Sequence, residues 1–154
     1  MPPAPNRDAI LAASRTIISN ARYATMVTMA GAGAPDARIV DPFAPETDFT
    51  IWVATNANSR KAAQLVKDPR VTLVYFDAAN KGYVTLKGTA ALVRDAKEKS
   101  AHWKEQWAGM YKNKNLGDDY LLVRIVPDTL EVVSVALGMI NDPATWRPVT
   151  LKLR

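Results

Sequence analysis

One short stretch of the sequence brings together the side chains that bind a phosphate monoester. Thr55 and Ser59 supply hydroxyl groups, and Arg60 and Lys61 supply two positive charges. Asn58 or Ser59 can cap a helix that begins here, because either side chain accepts a hydrogen bond from a free N–H group of the first turn. The N-terminus of a helix carries a partial positive charge, so the stretch can hold a dianion. The alternative interpretation is a capped surface helix with two solvated cations.

A strand and a helix are predicted to position these side chains. The β-branched and aromatic run from Phe49 to Ala54 indicates a strand, and Asp68-Pro69 stops the helix that follows the polar turn. Gly88 is predicted to mark a bulge or a bend, and Pro127-Asp128 a tight turn between the last two strands. The hydrophobic patterns predict helices over residues 7–20, 58–67 and 95–112, and strands over residues 22–30, 37–43, 49–54, 70–77, 83–93, 120–126 and 129–136.

The order of these elements indicates the fold class. Strands and helices do not alternate regularly, which disfavours a doubly wound parallel sheet. We expect a mainly β fold, a six- to seven-stranded antiparallel barrel with Greek-key-like connections and peripheral helices. The 154 residues fit a single domain with its core at about 7–136 and a tail at 137–154.

The predicted helix 95–112 carries most of the remaining aromatic residues. Trp103, Trp107 and Met110 or Tyr111 recur at helical spacing, so they would share one face. Packing in the core or in a dimer interface is the expected role of that face. His102 is expected to be an exposed or half-exposed residue of the same helix.

Composition excludes several kinds of site. The chain has no cysteine and one histidine, so disulfides, thiolate nucleophiles and His-cluster metal sites are excluded, and no metal site is expected. The net charge of +5 favours anionic ligands, but the 20 cations are interspersed with 15 anions, so nucleic acid is not the expected partner. No run approaches the roughly 18–20 apolar residues that span a bilayer, and no signal peptide is evident. We therefore expect a cytoplasmic protein.

Several short motifs together resemble the FMN-binding split barrels of the pyridoxamine-5'-phosphate-oxidase-like family. Each motif is weak alone, but their order and spacing are specific, and the similarity is greatest to the branch called general stress proteins. It covers roughly residues 10–135. The motifs are ARIVDPF at 37–43, WVATN at 52–56, SRK at 59–61, DPRVTLVY at 68–75, GYVTLKG at 82–88, and a helix with Trp103 and Trp107.

The resemblance implies a homodimer with FMN bound at the subunit interface. By position, Arg38 and Lys61 resemble the family's phosphate ligands, and Tyr83 stands where the oxidases carry a glutamine near the cofactor. Trp103 or Trp107 is implied to reach the flavin of the partner subunit. Asp41 is either a strand-end cap or a group that orients a substrate, with the structural role favoured. The cofactor-binding residues expected are Arg38, Ile39, Val40, Asp41, Ala54, Thr55, Ser59, Arg60, Lys61, Tyr83, Trp103 and Trp107.

The sequence also departs from the oxidases of this family. They hold pyridoxal phosphate with a C-terminal motif of arginine and histidine, and nothing similar follows Val133 here. We therefore expect a flavin-dependent oxidoreductase of unknown substrate, with NAD(P)H among the candidate electron donors, and not a true pyridoxamine-phosphate oxidase. The alternative is a non-catalytic protein that binds or senses flavin. FAD or a deazaflavin could replace FMN, whereas haem would need an axial ligand that His102 is poorly placed to supply. No catalytic residue is assigned.

Overall fold

The computed structural model describes residues 3–154, which form helices α1–α3, strands β1–β8 and one short 3-10 helix. Within this part of the chain, no helix is long and apolar enough to cross a membrane. The elements are α1 (Arg7–Ala21), β1 (Ala24–Met29), β2 (Pro35–Val40), β3 (Ile51–Asn56), α2 (Arg60–Lys67), β4 (Arg70–Asp77), β5 (Gly82–Val93), α3 (Ala96–Ala101), the 3-10 helix (Glu105–Trp107), β6 (Lys112–Asn115), β7 (Tyr120–Ser134) and β8 (Val149–Lys152).

Seven of the strands form one antiparallel sheet in the order β2-β1-β4-β5-β7-β3, with β8 also paired to β7. The long strand β7 explains this arrangement, because its first half pairs with β3 and its second half with β8 along the same edge. Its other edge pairs with β5. The prediction of a mainly β, antiparallel fold is confirmed.

One hydrophobic core joins the whole sheet to the first helix. All seven paired strands contribute buried residues to it, from Met26 on β1 to Val149 on β8. Helix α1 adds Ile10 and Ile17, which lie one above the other on one face of the helix. Asn6 caps that helix by accepting a hydrogen bond from the N–H of Ala9 at 2.9 Å. The sheet therefore wraps around its own core in a barrel-like way.

The predicted turn at Pro127-Asp128 is wrong, because β7 runs through it without a break. The pairing register between β5 and β7 shifts between Lys87 and Gly88, which leaves Gly88 opposite Pro127. This irregularity accommodates a proline that has no N–H group to donate. A Cβ atom on Gly88 would overlap the carbonyl oxygen of Val126, so the close approach requires glycine. The bulge predicted at Gly88 is confirmed.

The predicted helix 95–112 is also wrong beyond its first two turns. Asp95 caps α3 by accepting a hydrogen bond from the N–H of Glu98 at 3.0 Å, but the helix ends at Ala101. His102 then folds back, and its ring stacks on Trp52 of β3 with 4.3 Å between the ring centroids. Burial of aromatic rings against the sheet overrides the helical pattern here. His102 is consequently half-buried and packed, not a residue of an exposed helix face.

Candidate functional site

The candidate site is a cleft where β2 and β3 end beside the start of α2. The chain passes from β3 through a short turn into α2, and Ser59 caps this helix by accepting a hydrogen bond from the N–H of Ala62 at 3.3 Å. The cleft encloses about 310 Å³. Its walls are formed by Ile39, Val40, Asp41, Ala54, Thr55, Asn56, Ser59, Lys61, Trp107, Met110 and Tyr111.

One wall of the cleft holds the half-buried ammonium group of Lys61. Its Nζ donates to Thr55 Oγ1 at 2.8 Å, and Thr55 Oγ1 donates in turn to Ser59 Oγ at 3.2 Å. Burial lowers the pKa of Lys61, and the positive charge of Arg38 lowers that pKa further. Among residues 3–154, no carboxylate forms an ion pair with Lys61. A partly desolvated cation without a counter-charge favours an anion in the cleft.

Arg38 lies beside this cation but does not line the cleft. Its guanidinium donates to Thr28 Oγ1 at 2.6 Å and to Gln64 Oε1 at 3.0 Å. Gln64 donates to Asp36 Oδ2 at 2.6 Å, so neutral groups separate the guanidinium from the Asp36 carboxylate oxygens. Burial lowers the pKa of Arg38, and the charge of Asp36 opposes this shift. Arg38 is thus a positive charge held by hydrogen bonds near Lys61, outside the lining of the cleft.

The other end of the cleft is apolar and lies beside β2 and β3, the first and last strands of the sheet order. Ile39 and Val40 come from β2 and Ala54 from β3. The side chain of Ile39 is 67% exposed although it is large and apolar. Asp41 follows β2 and forms an ion pair with Lys104 Nζ at 3.1 Å, which fits a structural role at the rim.

An aromatic cluster closes the third side. The Trp103 ring packs edge-to-face against the rings of Trp107 and Tyr120, with 6.1 Å and 5.2 Å between the ring centroids. Tyr111 also packs on Tyr120, at 4.8 Å. Trp107 and Tyr111 reach the cleft, whereas Trp103 lies behind them and donates its indole N–H to Glu105 Oε2 at 2.8 Å.

Two further predicted residues lie away from the cleft. Arg60 extends into solvent with 83% of its side chain exposed, and its nearest acidic partner is Asp36 at 4.0 Å. Tyr83 lies on β5, in register with Phe76 of β4 and Val133 of β7. Eight of the twelve predicted residues therefore line one cleft. The four that do not are Arg38, Arg60, Tyr83 and Trp103.

The sequence interpretation missed the polar layer behind the cleft, which consists of Thr28, Asp36 and Gln64. The sequence contains a signal for this layer, because Asp36 and Arg38 are two residues apart on β2 and therefore lie on the same face of the strand. Gln64 follows Arg60 by four residues and Lys61 by three, which places it on the same side of α2 as the cations. Within residues 3–154, no group of three histidine, aspartate or glutamate side chains is arranged to hold a metal ion.

Comparison with known proteins identifies the family. Residues 10–134 match the family model described as pyridoxamine 5'-phosphate oxidase, and the chain belongs to this family. A comparison with curated proteins gives no match.

Solved structures share the fold over nearly the whole chain. General stress protein 26 from Bacillus anthracis is 21% identical with a TM-score of 0.71, over 94% of this chain and 96% of that one. A protein from Clostridium acetobutylicum related to general stress protein 26 is 18% identical with a TM-score of 0.76, over 96% of both chains. A pyridoxamine-5'-phosphate-oxidase-related, FMN-binding protein from Nostoc punctiforme is 18% identical with a TM-score of 0.63, over 100% of both chains. The fold is therefore the split barrel that the sequence predicted.

Proposed function

We propose that this protein is a homodimeric, FMN-binding oxidoreductase whose cofactor occupies the cleft between β2, β3 and α2. Membership of the family supports a flavin-binding protein. The observation that carries the proposal is Lys61, a half-buried cation at a helix N-terminus that donates to the Thr55 hydroxyl, which in turn donates to the Ser59 hydroxyl. These groups are the ones that a terminal phosphate monoester requires.

The phosphate end of the cleft favours FMN over riboflavin. Lys61 would pair with the dianion, and Thr55 and Ser59 would donate their hydroxyl hydrogens to its oxygens. Arg38 would add long-range attraction from behind, because its charge already perturbs the pKa of Lys61. FAD and deazaflavins share the ring system, but FMN is the flavin that ends in a phosphate monoester.

The ring end of the cleft suits an isoalloxazine. Ala54 and Val40 offer backbone groups along an edge, and Trp107 and Tyr111 offer apolar surface. When bound, FMN would supply two-electron redox chemistry, and the protein would supply orientation and exclusion of water. NAD(P)H is the proposed electron donor, and the cytoplasm is the proposed compartment.

Exposed apolar side chains at the rim support the homodimer. Ile39 is 67% exposed and Met110 is 66% exposed, and both border the cleft. Large apolar side chains at one rim favour burial by a second protein surface. A second copy of the chain that packs there would cover the flavin, in agreement with the family resemblance.

Sedimentation and anaerobic reduction test this proposal together. We expect the FMN-loaded protein to sediment as a dimer and to lose its visible flavin absorbance on addition of NADPH or NADH. Ile39→Asp should give a folded monomer that retains little flavin, whereas Val66→Asp, at a similarly exposed apolar position on α2, should remain dimeric. A wild-type monomer that binds FMN would refute the dimeric site. FMN binding in a dimer that neither nucleotide reduces would favour the non-catalytic alternative.

A further inference from the structure

A second cavity lies on the other side of Asp41, between α1, residues 41–45 and β4. It encloses about 400 Å³. Its apolar surface includes Ile18 of α1 and Phe43, and its polar groups include Tyr75 and Lys104. Asp41 lines both this cavity and the proposed flavin cleft, so the two spaces share one wall.

Tyr75, one of the residues that line this cavity, carries an unpaired hydrogen-bonding group. Tyr75 is only 1% exposed, and its hydroxyl has no hydrogen-bond partner within residues 3–154. Burial raises the pKa of Tyr75, so the hydroxyl stays protonated and able to donate at neutral pH. An unpaired buried hydroxyl is unfavourable, and a ligand that accepts its hydrogen removes that cost.

The mouth of the cavity carries net positive charge. Arg22 and Lys104 both approach Asp41 Oδ1, at 3.8 Å and 3.1 Å, so two cations face one carboxylate. The Arg22 side chain is 57% exposed, which places it at the opening, whereas Tyr75 is buried. A third cation, Arg15, directs its N–H groups to the backbone carbonyls of residues 45–47. One more negative charge at the opening would balance the Arg22–Asp41–Lys104 group.

We propose that this cavity binds a compact aromatic carboxylate that carries a hydrogen-bond acceptor at the end away from the carboxylate. The carboxylate would face Arg22 at the opening, the ring would pack between Ile18 and Phe43, and the acceptor would receive the Tyr75 hydrogen. The volume is within the usual range for small-molecule sites, about 300–1,000 Å³. Binding by this cavity does not depend on FMN.

Calorimetric titration with two matched probes tests the proposal. The probes are 6-hydroxy-2-naphthoate, whose hydroxyl oxygen can accept from Tyr75, and 2-naphthoate, which lacks that acceptor. We expect the wild-type protein to bind the hydroxylated probe about 2- to 10-fold more tightly, the usual range for one hydrogen bond. Tyr75→Phe should abolish this difference and leave the affinity for 2-naphthoate nearly unchanged.

A blocking variant locates the site without altering the core. Ser19 is an exposed residue of α1 that lines the cavity, so Ser19→Trp should obstruct the opening and abolish binding of both probes. Lys61→Ala should retain both probes while its FMN affinity falls, so failure of the flavin site and failure of this site are distinguishable. Equal affinity for both probes in the folded wild-type protein, no saturable binding, or undiminished binding by Ser19→Trp would overturn the proposal.

Discussion

Arg60 and Lys61, the two adjacent cations at the start of α2, should differ sharply in their effect on FMN affinity. Lys61 is half-buried and hydrogen-bonded to Thr55 in the cleft, whereas 83% of the Arg60 side chain is exposed. A charge-assisted hydrogen bond contributes about 1.5–3 kcal/mol, so Lys61→Ala should raise the FMN dissociation constant about 10- to 150-fold. An exposed ion pair contributes about 0.2–1 kcal/mol, so Arg60→Ala should raise it by no more than about fivefold.

Fluorescence titration of FMN measures both dissociation constants. Lys67→Ala is the matched control, because Lys67 is an exposed lysine in the last turn of the same helix and its loss changes the net charge equally. Its FMN affinity should equal that of the wild-type protein. Equal weakening by Lys61→Ala and Arg60→Ala, in proteins with unchanged circular dichroism, would refute the assignment of Lys61 as the phosphate ligand.

Three further predictions follow from other contacts. Gly88→Ala should destabilise the fold by about 1–3 kcal/mol in urea denaturation, because the new Cβ overlaps the backbone of β7, whereas Gly109→Ala, with open space around it, should change stability by less than about 0.5 kcal/mol. Ser59→Ala should lower the unfolding free energy by about 0.5–2 kcal/mol through loss of the cap, whereas Ser59→Gly should lower it by only about a few tenths of a kcal/mol. Titration should show that both variants bind FMN more weakly. Because burial lowers the pKa of Lys61, the Lys61 amine is protonated to a greater extent in the unfolded chain than in the FMN-free folded protein between the lowered pKa and 10.5. The stability of the FMN-free protein relative to Lys61→Met should therefore rise with pH in that window, as measured by thermal unfolding, and a flat difference would show that Lys61 is not desolvated.

The cap of α2 and the grouping of Thr55, Ser59 and Lys61 could be predicted from the sequence because their determinants are local. Ser59 caps α2 and the chain places Thr55 and Lys61 within one turn of it, so adjacent residues define the geometry. The fold class could also be predicted from the sequence, since the strands are long and turn residues mark their ends. The arrangement of Arg38 could not be predicted in the same way, because it depends on Thr28 of a neighbouring strand and Gln64 of a helix.

The two wrong elements have a common cause in tertiary packing. The pattern over 95–112 is helical, but the aromatic residues gain more by packing against Trp52 and Tyr120 than by continuing the helix. Pro127 alone predicts a turn, but Gly88, which lies opposite it on β5, allows β7 to continue without a break. In both cases the deciding partner lies far away in the sequence, where local patterns give no information.

Comparison of FMN and riboflavin binding by the wild-type protein tests the central claim most directly. The two ligands share the ring and ribityl chain and differ only in the phosphate. If Lys61, Thr55, Ser59 and the N-terminus of α2 hold that phosphate, FMN should bind at least about 100-fold more tightly than riboflavin, as expected for two or more charge-assisted contacts. Equal dissociation constants in the folded protein would contradict a phosphate site in the cleft.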